Sequence, residues 1–174
     1  MECQPEHAIE VLSQTPATLR ALLQNLSDPW THINVGEETW SAYDVVGHLI
    51  HGEETDWIPR AKIILQHGPS RPFEPFDRFA QFEQSKGQSL ETLLEKFADL
   101  RQRNLEILKQ MRITSAQLEL RGAHPELGTV TLRQLLAAWV VHDLDHMGQI
   151  VAVMAKQYTE AVGPWKAYLS ILDQ

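Results

Sequence analysis

The sequence predicts an all-α protein: an up-down-down-up four-helix bundle with a short extra C-terminal helix. Three observations carry that prediction. Apolar residues recur at three- and four-residue steps through four long segments, capping signals stand at the starts of the later ones, and one long Pro-rich connection interrupts the middle of the chain. No convincing alternating run suggests a strand, so four helices without a sheet pack on one another.

The first segment covers about residues 6 to 26, with Thr15 and Pro16 either kinking it or restarting it as N-cap and first helical position. The second opens with Ser41 and Asp44 in a capping-box pattern and runs through Val45, His48 and Leu49 toward Leu65. Pro59 should kink it or end its regular part, because proline lacks the N–H and collides with the preceding turn. In the third, Leu90, Leu93, Leu94, Phe97, Leu100, Leu105, Leu108 and Met111 make one apolar stripe, with Ser89 or Ser85 as cap. The fourth starts at Thr131 with Gln134 three residues on, and continues to about Tyr158. Gly163 and Pro164 begin the short terminal helix through Trp165, Tyr168, Leu169 and Ile171.

Topology follows from the connections. Segments two and three are joined by HGPSRPFEPFDRFAQFEQSKGQ. A loop of about 20 residues is unusual inside a compact domain unless it has a distance to cover. It has one if helix three runs parallel to helix two, because the chain must first return along the bundle. The shorter linker RGAHPELGTV suits helices three and four as antiparallel neighbours, and helix four then also runs antiparallel to helix two.

Composition narrows the function classes. The 174 residues suit a single domain, and 43% hydrophobic with 22% charged residues is ordinary for a soluble globular chain. A formal net charge of -8 and the lack of a dense basic run argue against a nucleic-acid partner. No segment approaches the roughly 18 uncharged apolar residues of a membrane span, and the N-terminus lacks a signal-peptide pattern, so a cytoplasmic protein with no membrane partner is expected. Cys3 is the only cysteine, which excludes an intrachain disulfide; so near the terminus it is expected to be mobile, with no site role.

The stretch WVVHDLDHMGQIV carries the chemistry. His142 and His146 are one helical turn apart, on the row of Leu135, Trp139, Gln149 and Val153 that faces inward. A single core histidine is most often held by one hydrogen bond and does nothing more. Two on one buried row each need partners for both ring nitrogens, and a divalent metal is the economical shared one. His48 on the inward side of helix two is the leading third ligand, with His51, one turn later, as the alternative. Glu53 and Glu54 are rotated from His48 by about 140° and 240°, which suggests solvation or a supporting role. Three neutral imidazoles leave coordination positions open, as catalytic metal sites do, and would lower the pKa of a bound water or thiol. Asp44, Asp143, Asp145 and Gln149 are near enough in sequence to orient ring nitrogens. A helix cap explains Asp44 equally well, and solvation explains Asp143 and Asp145. His7, His32, His67 and His124 fall near termini or in loops and are expected at the surface.

The segments ETWSAYDVVGHLIHGEETDWIPR and HPELGTVTLRQLLAAWVVHDLDHMGQI, with LLEKFADLRQRNLEIL between them, resemble the DinB family, also described as DinB/YfiT-like metalloenzymes. The paired motifs GHL and HDxxHxxQI, in that order and spacing, carry the resemblance over nearly the whole chain. It implies one DinB-like bundle over residues 1–174, commonly homodimeric, with a metal on a histidine triad that falls on His48, His142 and His146. The implied metal is zinc or nickel, and the implied chemistry is S-transfer with a low-molecular-weight thiol, or hydrolysis, on a small-molecule substrate. Two other classes compete: a metal-stabilised structural or sensing bundle, and a helical interaction protein whose histidines fill the core.

Overall fold

The computed structural model describes residues 2–36 and 39–173. In chain order the elements are α1 (Pro5–Leu12), α2 (Thr15–Leu23), α3 (Asp28–His32), α4 (Ala42–Thr55), α5 (Trp57–His67), α6 (Ala80–Ser85), α7 (Leu90–Gln110), α8 (Ser115–Leu118), β1 (Arg121–His124), β2 (Gly128–Thr131) and α9 (Leu132–Lys156). The bundle has four arms: α1 with α2, α4 with α5, α7, and α9. The expected caps are in place. Ser41 and Thr131 close capping boxes with Asp44 and Gln134, and Ser89 accepts the N–H of Thr92.

Both prolines act on their arms. The first arm restarts at Thr15 with Gln14 as N-cap, so Pro16 sits in a first turn where no donor is needed. The second breaks at Asp56, three residues before Pro59, because Pro59 cannot donate to the carbonyl of Thr55 and its ring crowds that oxygen.

Core contacts fix the direction of each arm. One apolar cluster joins Ala8 and Leu12 to Trp57 and Ile64, Leu105 and Leu108, and Leu132, Leu136 and Trp139. The other joins Leu19 and Leu23 to Val45 and Leu49, Leu93 and Phe97, and Ile150. The first cluster therefore holds the beginnings of arms one and four and the ends of arms two and three. That is up-down-down-up, with arms two and three parallel. The Pro-rich segment returns along the bundle between them, pinned where the Phe73 N–H donates to the Ala123 carbonyl at 3.0 Å.

Three expectations need correction. A small sheet exists: β1 and β2 pair antiparallel from Arg121↔Thr131 to His124↔Gly128. Strands of four residues are too short to display an alternating pattern, so periodicity missed them. The hairpin packs over the end of arm two, where Gly122 is required: a Cβ there would lie 2.8 Å from both Ile64 and Phe73. By crossing that end, the linker sets arms three and four diagonally opposite each other, while arm two packs between them and arm one closes the other side. They are antiparallel but not neighbours. Finally, Cys3 is half-buried against the first cluster, and its carbonyl accepts from Arg133 at 2.9 Å.

The chain after α9 continues in two 3₁₀ turns, Gly163–Tyr168 and Ser170–Asp173, on which Trp165 and Tyr168 are exposed. Among the described residues no helix is long and apolar enough to cross a membrane.

Candidate metal centre

His48 on α4 meets His142 and His146 on α9 where arms two and four pack. The Nε2 atoms of His48 and His146 each lie 3.1 Å from Nε2 of His142, and one donor atom from each ring lies within 4.8 Å of the others. His48 and His146 are buried and His142 is half-buried. Their far sides are held as well. His48 Nδ1 donates to Gln81 Oε1 at 2.9 Å, and His146 Nδ1 donates to Gln149 Oε1 at 2.8 Å.

Those two bonds decide the proton inventory. A neutral imidazole carries one N–H, and in His48 and His146 it is spent on the amide oxygens. Both rings therefore aim a lone pair at Nε2 of His142. A proton there would satisfy one neighbour and leave the other lone pair facing a filled nitrogen. With the proton on Nδ1 of His142 instead, three lone pairs converge on one point, and Nδ1 is a buried atom without a partner. No distribution of protons over three neutral rings satisfies the cluster, whereas a cation does. The spacing agrees: a tetrahedral site with nitrogen bonds of about 2.0–2.1 Å has edges of about 3.3 Å. The donor set fits a divalent metal ion.

Electrostatics keep the rings neutral. Burial, then His146, pushes the pKa of His48 down to about 4, with Gln81 opposing. Burial lowers His142 further, helped by His146, His48 and Arg101. His146 is lowered by burial against the opposing pull of Gln149, Asp145 and Asp143. Neutral imidazole is the form that ligates a metal.

The Pro-rich crossover supplies part of this centre. Its helix α6 places Gln81, which is 1% exposed, behind His48. That close approach depends on Gly47, since a Cβ there would fall 2.5 Å from Ser85 Oγ and 3.9 Å from Gln81 Cβ. Trp40, just ahead of α4, packs against His48 at 4.8 Å between ring centroids and stacks on His146 at 6.2 Å. Phe76 sets its edge toward His48 at 5.4 Å, and Trp57 does so toward His142 at 5.0 Å. Sequence reasoning missed Gln81, Trp40 and Phe76. A glutamine in an aperiodic linker gives no signal of its own; only the aromatic density of that linker hinted at a packed role.

Beneath the triad lies a polar hub. Arg101 of α7 bonds both oxygens of Asp143 at 2.6 and 3.0 Å, Glu53 Oε1 at 2.8 Å and the Leu12 carbonyl at 2.9 Å. Glu53 also accepts from Trp139 Nε1 at 3.0 Å and from Asn104 at 3.0 Å. Solvation, one of the two readings open for Glu53 and for Asp143, is thus excluded: they are 3% and 0% exposed. A signal existed, because Arg101 stands on the inward row between Phe97 and Leu105. Burial alone would lower the Arg101 pKa, but hydrogen bonds and charge from Asp143 and Glu53 raise it.

The other predicted residues lie apart from the ring nitrogens. Asp44 spends its carboxylate on Ser41 N and Oγ, within the cap. Asp145 is exposed, and among the described residues it bonds no ring nitrogen. His51 is buried with Nδ1 unpartnered, its ring 4.9 Å from that of Phe76. Glu54 pairs with Lys96 at 2.8 Å. His7, His32 and His67 are exposed, while half-buried His124 accepts the Glu126 and Leu127 N–H groups in the hairpin turn.

Residues 12–150, which contain all three histidines and both glutamines, match the family model of the DinB superfamily. The chain belongs to the DinB superfamily. Among solved structures, this DinB chain is similar to YfiT from Bacillus subtilis, at 25% identity with a TM-score of 0.75, over 88% of this chain and 87% of that one. That protein is described as "a probable metal-dependent hydrolase with an unusual four-helix bundle topology". No curated protein matches.

Proposed function

We propose that this DinB-superfamily chain is a metal-dependent enzyme acting on a small-molecule substrate by hydrolysis or S-transfer. His48, His142 and His146 would hold the ion through Nε2, with zinc or nickel as its identity. Such an ion, when bound, makes a nucleophile of water or of a low-molecular-weight thiol at neutral pH. The single observation that carries the reading is the convergence of three lone pairs that no arrangement of protons satisfies. The description of YfiT as a metal-dependent hydrolase supports the reaction class.

The chain's own residues do the positioning. Gln81 and Gln149 accept from the Nδ1 atoms and fix ring tautomer and rotation, as outer partners of metal-bound histidines do. Trp40, Trp57 and Phe76 wall the rings and exclude water from their flanks. Among the described residues three protein donors converge, so positions stay open for a nucleophile, as in catalytic rather than structural sites. The non-catalytic alternative, a metal that holds the bundle together, is disfavoured because two apolar clusters and the Arg101 hub already join all four arms.

A cytoplasmic setting suits a thiol co-reactant, and a homodimer is the assembly we propose. Val141, Leu144 and Val151 form an exposed apolar row along α9 that a second copy would cover.

The test is metal analysis of protein purified without added metal or chelator. About one divalent ion per chain is expected. His146→Ala should weaken metal binding about 10-fold or more and cost about 1–3 kcal/mol of stability, leaving the bundle folded. Occupancy well under half, with no rise on adding zinc, nickel or manganese, would reject the reading.

A further inference from the structure

The crossover carries aromatic residues that the metal centre does not use up. Phe79 is 66% exposed and Phe82 39% exposed, and their rings stack at 6.4 Å. Phe82 meets Trp40 edge-on at 6.3 Å, and Trp40 lies against the His48 and His146 rings. A chain of aromatic faces thus runs from solvent to the triad. Beside it stands Arg78, exposed and without an ion pair among the described residues.

Trp40 packs against the second apolar cluster, but among the described residues Phe79 and Phe82 pack into neither cluster. Phe79 contributes little to the core, and two exposed stacked phenyl rings cost solvation that folding does not recover. The patch ends at three converging metal donors, where a small molecule lying along it would meet them. Resting on the reading of His48, His142 and His146 as an open metal centre, we propose that the substrate or co-substrate has a flat apolar body and an anionic group. The body lies against Phe79, Phe82 and Trp40, the anion faces Arg78, and the reacting end reaches the triad.

The experiment uses the full chain loaded with cobalt, whose visible spectrum reports added ligands. The probes are 2-mercaptoethanol, thiophenol and 4-mercaptobenzoate. Arg78→Ala and Phe79→Ser alter exposed side chains only, and both variants should take up cobalt as the parent does. In Arg78→Ala, 4-mercaptobenzoate should lose about threefold or more in affinity while thiophenol is unchanged, the size of one exposed charge pair. In Phe79→Ser, both aromatic thiols should weaken about threefold or more and 2-mercaptoethanol should not change. Comparing one thiol between parent and variant cancels that thiol's own acidity. If cobalt binds and every thiol responds equally in parent and variants, the substrate class is overturned and the metal centre stands. A spectrum that ignores all thiols also overturns it; if azide is ignored too, the open metal centre falls with it.

Discussion

Arg101 of α7 grips Asp143 of α9 through two nearly parallel hydrogen bonds, 2.6 and 3.0 Å, in a part of the bundle where both side chains are essentially inaccessible. The pair joins two arms that stand diagonally across the core. Asp143 is the next residue after His142, so the same contact sets the rotation of α9 that turns His142 and His146 toward His48. A charged pair in the core therefore governs the geometry of the triad.

Arg101→Met should be severely destabilising. It strands Asp143 and Glu53 as buried carboxylates without their cation, and breaking such a pair typically costs about 3–5 kcal/mol. Urea denaturation at pH 7 measures it. Adding Glu53→Gln and Asp143→Asn removes the stranded charges and should recover most of the loss. A single-variant loss below about 1 kcal/mol would show that the hub does not hold the arms together.

Gln81→Ala should weaken metal binding about 10-fold by freeing the His48 ring, the usual cost of losing an outer partner. Its stability cost should be about 1 kcal/mol, because one buried hydrogen bond is lost. Gln81→Glu keeps an acceptor at the same place and should retain affinity. Competition with a chromophoric chelator reads both variants. Equal affinity for Gln81→Ala and the parent would mean that packing alone orients His48.

Acid should destabilise the metal-free protein. The His48 pKa is about 4 in the fold, against about 6.5 in an unfolded chain. The unfolded state therefore takes up its proton first. The contribution of His48 is complete above about pH 6.5, falls through the window down to about 4, and is flat below it, where both states are protonated. His142 and His146 are lowered as well and act in the same direction. Asp56 acts oppositely: burial, against the pull of Arg60 and His51, raises it to about 6, so the fold holds its proton first as pH drops from about 6 toward 4. Three histidines against one aspartate give a net loss. The thermal midpoint of metal-free protein should fall steadily between pH 6.5 and 4, and His48→Gln should make the slope shallower. A midpoint that rises over this range would contradict the assignment of neutral buried rings.

Much of the candidate site was legible because its ligands lie on periodic elements. His142 and His146 share an inward row with Trp139 and Val153, and a helix cannot bury one without turning the other the same way. His48 was reachable because Ser41 and Asp44 fix where its helix begins. Gln81 was not, because it comes from a short helix inside an aperiodic linker whose placement depends on Gly47 leaving room. For Glu53 and Asp143 the sequence left solvation open beside a supporting role, since acidic side chains are rarely buried. The rule fails here because the guanidinium that neutralises them comes from α7, distant in sequence from both.

By itself the sequence determined the number, limits and inward faces of the arms, since capping and apolar spacing are local properties that act within a few residues. It also determined the parallel course of arms two and three, because a connection of that length has to span the bundle. The tertiary structure alone decided which arms are neighbours and which are diagonal. It likewise decided that Arg101 gathers Glu53 and Asp143, that Gln81 backs His48, and that Phe79, Phe82 and Trp40 line a path to the triad. Those relations join residues far apart in the chain, and their energies exist only once packing has removed water and brought the partners within reach.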